Sequence, residues 1–109
     1  MINPLKLSEM LNQANQMQEE VQRKLGETIV EASSGGGAVT ATMNGKKQLL
    51  KLHIDPVAVA SLSGSKADVE MLEDLVVAAV NEAGRKAEAI LQSSLQGMLG
   101  GLNIPGLGV

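Results

Sequence analysis

The stretch ETIVEASSGGGAVTATMNGKKQLLKLHID, running from Glu27 to Asp55, decides the fold. Within it apolar and polar residues alternate with a period of two, the mark of half-buried strands, whereas the chain on either side repeats at the 3.6-residue period of helices. Thr28, Val30 and Ala32 share one face of a first strand, Val39, Ala41 and Met43 one face of a second, and Leu50, Leu52 and Ile54 one face of a third. The run from Ser33 to Gly37 makes the first turn. Asn44-Gly45-Lys46-Lys47 makes the second, because Asn-Gly readily takes the positive φ that tight hairpins need. Placing Asn44 opposite Lys47 sets Ala41 against Leu50 and Val39 against Leu52, which gathers the apolar residues on one face of an antiparallel meander. The other face is mixed: Ile29, Leu49, Lys51 and His53 stand there among Thr and Glu.

Upstream, Asn3-Pro4 opens a helix, since Pro is tolerated in a first turn where its missing amide proton has no partner. This helix is expected to run to about Leu25 and to end at Gly26. Its apolar residues Leu7, Met10, Ala14, Met17 and Val21 form a narrow seam, and the rest is mostly Gln, Asn, Glu and Lys. A seam so thin suits contact with one other helix, so the element is expected to project or to pair with a copy of itself. Downstream, Asp55-Pro56 ends the third strand, Val57 to Lys66 forms a loop or short helical turn, and Ser65-x-x-Asp68 reads as a capping box for a second long helix. That helix has a broad apolar face: Leu72, Leu75, Val76, Ala79, Val80, Ala83, Ala87, Ile90 and Leu91. Gly84 sits in its middle at a cost of about 1 kcal/mol relative to Ala, beside the small Ala83 and Ala87, which points to close approach of another helix. The expectation is an α+β protein, a three-stranded antiparallel meander between two long helices, organised as one domain over residues 1–96. A glycine-rich flexible tail is expected over residues 97–109.

Composition narrows the function. The 109 residues are 44% hydrophobic yet contain no Phe, Tyr or Trp, so base-stacking platforms are excluded. The absence of cysteine removes disulfides, zinc knuckles and thiol nucleophiles. The single histidine, His53, has no partner cluster and reads as a half-exposed strand position rather than a proton carrier. Gly35-Gly36-Gly37 leads into no helix N-terminus, so turn geometry explains it better than phosphate cradling. No enzyme, metal, cofactor or small-molecule substrate is expected. No apolar run reaches the roughly 18 residues of a membrane span and no leader pattern opens the chain, so the expectation is a cytoplasmic protein without a membrane.

The net charge of −3 is unevenly spread. Up to Asp55 acids and bases cancel; beyond it Lys66, Arg85 and Lys86 face Asp68, Glu70, Glu73, Asp74, Glu82 and Glu88. Those carboxylates read as a solvated, dipole-complementing helix face, expected to point away from any polyanion. The basic pairs Arg23-Lys24, Lys46-Lys47 and Arg85-Lys86 stand out against this acidity, although ordinary surface charge would also account for them. The amides Asn12, Gln13, Asn15, Gln16, Gln18 and Gln22 could touch phosphates or base edges, but a neutral solvated face explains them more simply. If the first helix stands partly free, the remainder is about 70 residues, the size at which a single core becomes marginal. Without aromatic rings that core is smaller still, so a two-fold homodimer is expected.

Met71 to Ala83, followed by Arg85-Lys86-Ala87, resembles the signature of the YbaB/EbfC family of nucleoid-associated proteins. The likeness extends to the Gly35-Gly36-Gly37 turn, Val39 with Met43-Asn44-Gly45, Ile54-Asp55-Pro56, the amide-rich first helix and the Gly/Leu/Pro-rich tail, nearly the whole chain. The resemblance implies an α-β-β-β-α protomer and a tweezer-like homodimer in the bacterial cytoplasm at the nucleoid. It further implies binding of double-stranded DNA with a change in DNA conformation, serving nucleoid organisation, gene regulation or DNA protection; little sequence specificity is expected, because few side chains here can make bidentate base contacts. The family's DNA contacts are attributed to the two long helices, which implicates Lys6, Arg23, Lys24, Arg85 and Lys86; Lys46 and Lys47 are added on charge. The alternative is a protein-interaction adaptor whose helical arms grip a partner polypeptide through the Leu/Met seam.

Overall fold

Asn3 caps the first helix: its Oδ1 accepts from the Leu5 amide at 3.0 Å, and Pro4 occupies the first turn. A computed structural model describes the backbone of residues 3–102 and the side chains as far as Gly97. Helix α1 spans Pro4–Glu27 and does not stop at Gly26. Thr28 closes it instead, its N–H bonding the Leu25 and Lys24 carbonyls and its hydroxyl donating to Lys24 O at 2.6 Å. Thr28 is thus a cap and not the first strand residue that the alternation suggested.

Three strands follow, β1 (Ile29–Ser34), β2 (Val39–Asn44) and β3 (Leu49–Ile54), in an antiparallel sheet of order β1-β2-β3. All three glycines of the first turn have positive φ, at 61°, 67° and 100° for Gly35, Gly36 and Gly37, which explains the triplet without any ligand. Val30 pairs with Met43 and Ala32 with Ala41, so the expected faces of the first two strands hold.

The second hairpin departs from the expected register by two residues. Ala41 lies opposite Leu52 and Val39 opposite Ile54, with an irregularity at Thr42/Met43. Asn44 supplies one residue of the difference, its Oδ1 accepting from the amides of both Lys46 and Gln48 and its backbone N–H bonding Gln48 O, and the irregularity at Thr42/Met43 supplies the other. Asn44 therefore pairs with Gln48 rather than Lys47. A two-residue slip preserves the facing of Leu52 and Ile54, because side-chain direction repeats every second residue. Leu50 is skipped by the pairing and left 52% exposed. Nor does Gly45 supply the positive φ; Lys47 does, at 66°. Gly45 is required for another reason. A Cβ there would come within 2.8 Å of Leu25 O, which the Gly45 N–H already bonds at 2.8 Å. The glycine lets the hairpin seat directly on the C-terminal end of α1.

Asp55 caps the short helix α2 (Pro56–Ala60), accepting from the Val57 amide at 3.0 Å. Helix α3 spans Lys66–Leu102, about 55 Å at 1.5 Å per residue. Ser65 Oγ accepts from the Asp68 amide at 3.2 Å, while the Asp68 carboxylate accepts from the amide and hydroxyl of Ser63, at 2.8 and 2.6 Å. These bonds hold the Asp68 carboxyl below its ordinary pKa, the Ser63 hydroxyl contributing most. The helix runs past Gln96, and the remainder of the expected flexible tail, residues 103–109, lies outside the described residues.

The core lies between α3 and the first two strands. Ala79, Ala83 and Ala87, one turn apart, are all 0% exposed against Val30, Ala32, Val39, Ala41 and Met43. Alanine at each turn lets the helix lie close to the sheet, and Leu72, Leu75, Val76, Val80 and Ile90 flank the contact. Val39 is the largest side chain to be fully buried, so this core is thin. The molecule is correspondingly drawn out, 73 × 27 × 18 Å, with a radius of gyration of 21.0 Å. A compact chain of similar length would have about 13 Å.

Candidate nucleic-acid interface

Backbone bonds from Gly45 to Leu25 O and Thr28 O join the tip of the β2–β3 hairpin to α1, and this junction places the first group of cations. Lys46 turns back over the helix, its Cε 3.8 Å from where a Cβ on Gly26 would stand. Together with Arg23 it lines an open recess of about 550 Å³, whose other walls are Asn15, Gln18, Glu19 and Gln22. Residues 23 positions apart in sequence thus share one concavity, whereas the adjacent Lys47 turns away. Lys47 meets Glu88 of α3 at 3.4 Å and borders a second recess with Met43, Val80, Asn81, Gly84 and Arg85. Gly84 opens onto that recess: a Cβ there would meet nothing within 4 Å, so no helix of the same protomer presses on it as expected.

The other pairs divide in the same way. Lys24 lies beside the α1–α3 groove with Met17, Glu20, Val21 and Ser94. Lys86 donates to Glu31 O at 2.7 Å on the outer edge of β1, while Arg85 bonds Glu82 at 2.6 Å. Lys6 stands on the exposed outer part of α1. The seven predicted cations therefore do not form one patch. Two recesses each hold two of them, Arg23 with Lys46 and Lys47 with Arg85, and the rest are distributed along both long helices.

Carboxylates on both long helices lie close to several of these cations. Glu20 and Glu27 lie 3.9 and 3.3 Å from Arg23, Glu20 lies 3.6 Å from Lys24, and Glu82 and Glu88 hold Arg85 and Lys47. Spacings of three and four residues along a helix bring such pairs together. All are solvent-exposed, and an exposed pair contributes about 1 kcal/mol or less, so a phosphate can displace the carboxylate. Lys46 makes no ion pair among the described residues, which leaves it the most readily available cation at the recess. Sequence reasoning missed the pairing of Arg23 with Lys46, and it assigned Asn15, Gln18 and Gln22 to a solvated face. Their spacing of three and four was the available signal.

The profile of the YbaB/EbfC DNA-binding family matches residues 3–102. The chain belongs to that family. A nucleoid-associated protein of Acidobacterium capsulatum is 68% identical to it over 104 residues, covering 95% of this chain and 96% of its own. A nucleoid-associated protein of Koribacter versatilis is 52% identical, covering 92% and 94%. The α-β-β-β-α fold recurs in the crystal structure of an uncharacterized protein from Helicobacter pylori, with a TM-score of 0.74 over 91% of this chain and 99% of that one, at 22% identity. Because the YbaB/EbfC match runs from the cap of α1 to the end of α3, both helices that carry cations lie inside it. No helix among the described residues is long and apolar enough to cross a membrane.

Proposed function

We propose that this YbaB/EbfC protein works as a homodimer at the bacterial nucleoid, gripping double-stranded DNA between projecting helical arms and altering its conformation. Family membership supports the DNA partner, and one observation carries the mode of binding: the hairpin folds Lys46 over α1 beside Arg23, on an arm that stands clear of the core. Arg23, Lys24, Lys46, Lys47, Arg85 and Lys86 neutralise phosphates, with Lys6 further out on the arm. Affinity of this kind is mainly electrostatic. Six neutralised phosphates would cost about 10³-fold in affinity between 50 and 200 mM salt.

The dimer is supported by β3. This edge strand leaves Leu49, Leu50 and Leu52 exposed and is followed by Val57, which is 77% exposed. An unpaired apolar edge beside a core built largely of alanine and valine invites a second copy to cover it. Two-fold symmetry then presents every cation twice.

The adaptor reading retains one supporting observation, a largely apolar groove between α1 and α3 where Met17, Val21, Leu25, Leu91 and Leu95 meet, with Gln18 and Gln22 also in its wall. Replacing Arg23, Lys24, Arg85 and Lys86 with Ala separates the two readings. Loss of duplex binding by a variant that still sediments as a dimer is the expected result. Unchanged duplex affinity would favour the adaptor, and sedimentation of the wild type as a monomer would remove the two-armed clamp.

A further inference from the structure

The sheet ends in two edges of opposite character, β1 and β3. The Gly45 N–H bonds Thr28 O and the Gly37 N–H bonds Ser34 O, so the even-numbered backbone groups of β1 face β2 and those of Ile29, Glu31 and Ser33 face outward. Glu31 is the middle of that free row, and its carbonyl is already taken: Lys86 reaches across from α3 and donates to it at 2.7 Å. Ala83 and Ala87, buried beneath the sheet, hold the stretch of helix that carries Lys86. The Ser34 hydroxyl, donating to Leu75 O, ties the end of the same strand to the same helix. Glu31 itself is exposed and carries a charge, whereas β3 presents Leu49, Leu50 and Leu52 to solvent.

We infer that Lys86 and Glu31 together close the outer edge of β1 against a second copy of this chain, so that joining at β3 stops at a finite assembly. A strand added along β1 must either bond the Glu31 carbonyl or leave it out of the ladder. To bond it, the added strand has to displace the Lys86 ammonium, which then loses its partner beside newly covered backbone. The added strand most readily at hand is β1 of another copy. A two-fold axis at Glu31 sets that carboxylate opposite its own counterpart, and like charges directly opposite destabilise a strand pair. With both edges open, contacts at β3 and at β1 would alternate from copy to copy and the sheet would grow without end. The guard is compatible with the phosphate role given to Lys86, since an ammonium has three donors and Glu31 O takes one. It is independent of the DNA reading, and it relies on pairing at β3 only for the size of the assembly being limited.

The test is analytical ultracentrifugation of the full chain over a wide range of concentration, with circular dichroism to confirm that each variant keeps the wild-type fold. The double variant Glu31→Thr, Lys86→Met removes both devices, while threonine keeps strand propensity and methionine keeps an apolar stem. Its weight-average mass should climb steadily with concentration, well beyond the mass that the wild type and each single variant hold. Adding Ser33→Pro should return the double variant to the wild-type mass, because proline takes away the outward N–H that an incoming strand needs. Three results would overturn the inference: a double variant that stays at the wild-type mass, growth of either single variant equal to that of the double, or growth that survives Ser33→Pro. Sedimentation of the wild type as a monomer would instead remove the pairing at β3, and the guard would still stand or fall on whether the double variant grows.

Discussion

The middle of α3 and the whole of α1 are both amphipathic helices, yet one is embedded and the other nearly bare. Over Leu72 to Ile90, α3 presses a wide stripe with an alanine at each turn against two strands, and Ala79, Ala83 and Ala87 are fully buried. Helix α1 has a narrower seam, and among its residues only Leu25, where the hairpin seats, is buried. The difference shows that the width of an apolar stripe, more than its periodicity, decides whether a helix joins a core or stands as an arm. It also separates two tasks. The embedded helix holds the sheet, and the bare one leaves most of its side chains exposed.

The same chemical change in both regions gives the widest contrast. Met43 is 5% exposed in the core and Met10 is 55% exposed on α1. Met43→Ala should destabilise by about 2–5 kcal/mol in chemical denaturation, as expected of a truncated core methionine. Next in size is the start of α3, where Ser65→Ala should cost about 1 kcal/mol, read as a lower melting temperature. Acidification then acts on Asp68. Because its folded pKa is depressed, its contribution is complete above the ordinary carboxylate range and is lost as pH falls through the depressed value. Melting temperature in Asp68→Asn should accordingly depend less on pH below about 4 than in the wild type. The smallest effect is Met10→Ala, expected to change stability by less than about 0.5 kcal/mol. A cost there close to that at Met43 would show that α1 is packed in solution and would end its description as a free arm.

Much of the fold could be read from local pattern, and less of the site. Val39, Ala41 and Met43 alternate because one face of β2 meets α3, so period alone located the core face. Register escaped because the Asn44 side chain captures the Gln48 amide, a competition between turn closures that composition does not rank. Gly45 was legible as special, but its reason is Leu25, in another element. Likewise, Lys46 and Lys47 are adjacent in sequence yet lie against different helices, one over α1 and the other against Glu88 of α3. The paired carboxylates could have been anticipated from their helical spacing, whereas a recess shared by Arg23 and Lys46 required knowing where the hairpin lands.

The most direct test of the arm as an electrostatic grip on DNA is the slope of log affinity against log salt for the wild-type protein and a duplex. With about six phosphates neutralised, a straight line falling with a slope of about −5 is predicted. Affinity that stays level across the same salt range would contradict the account.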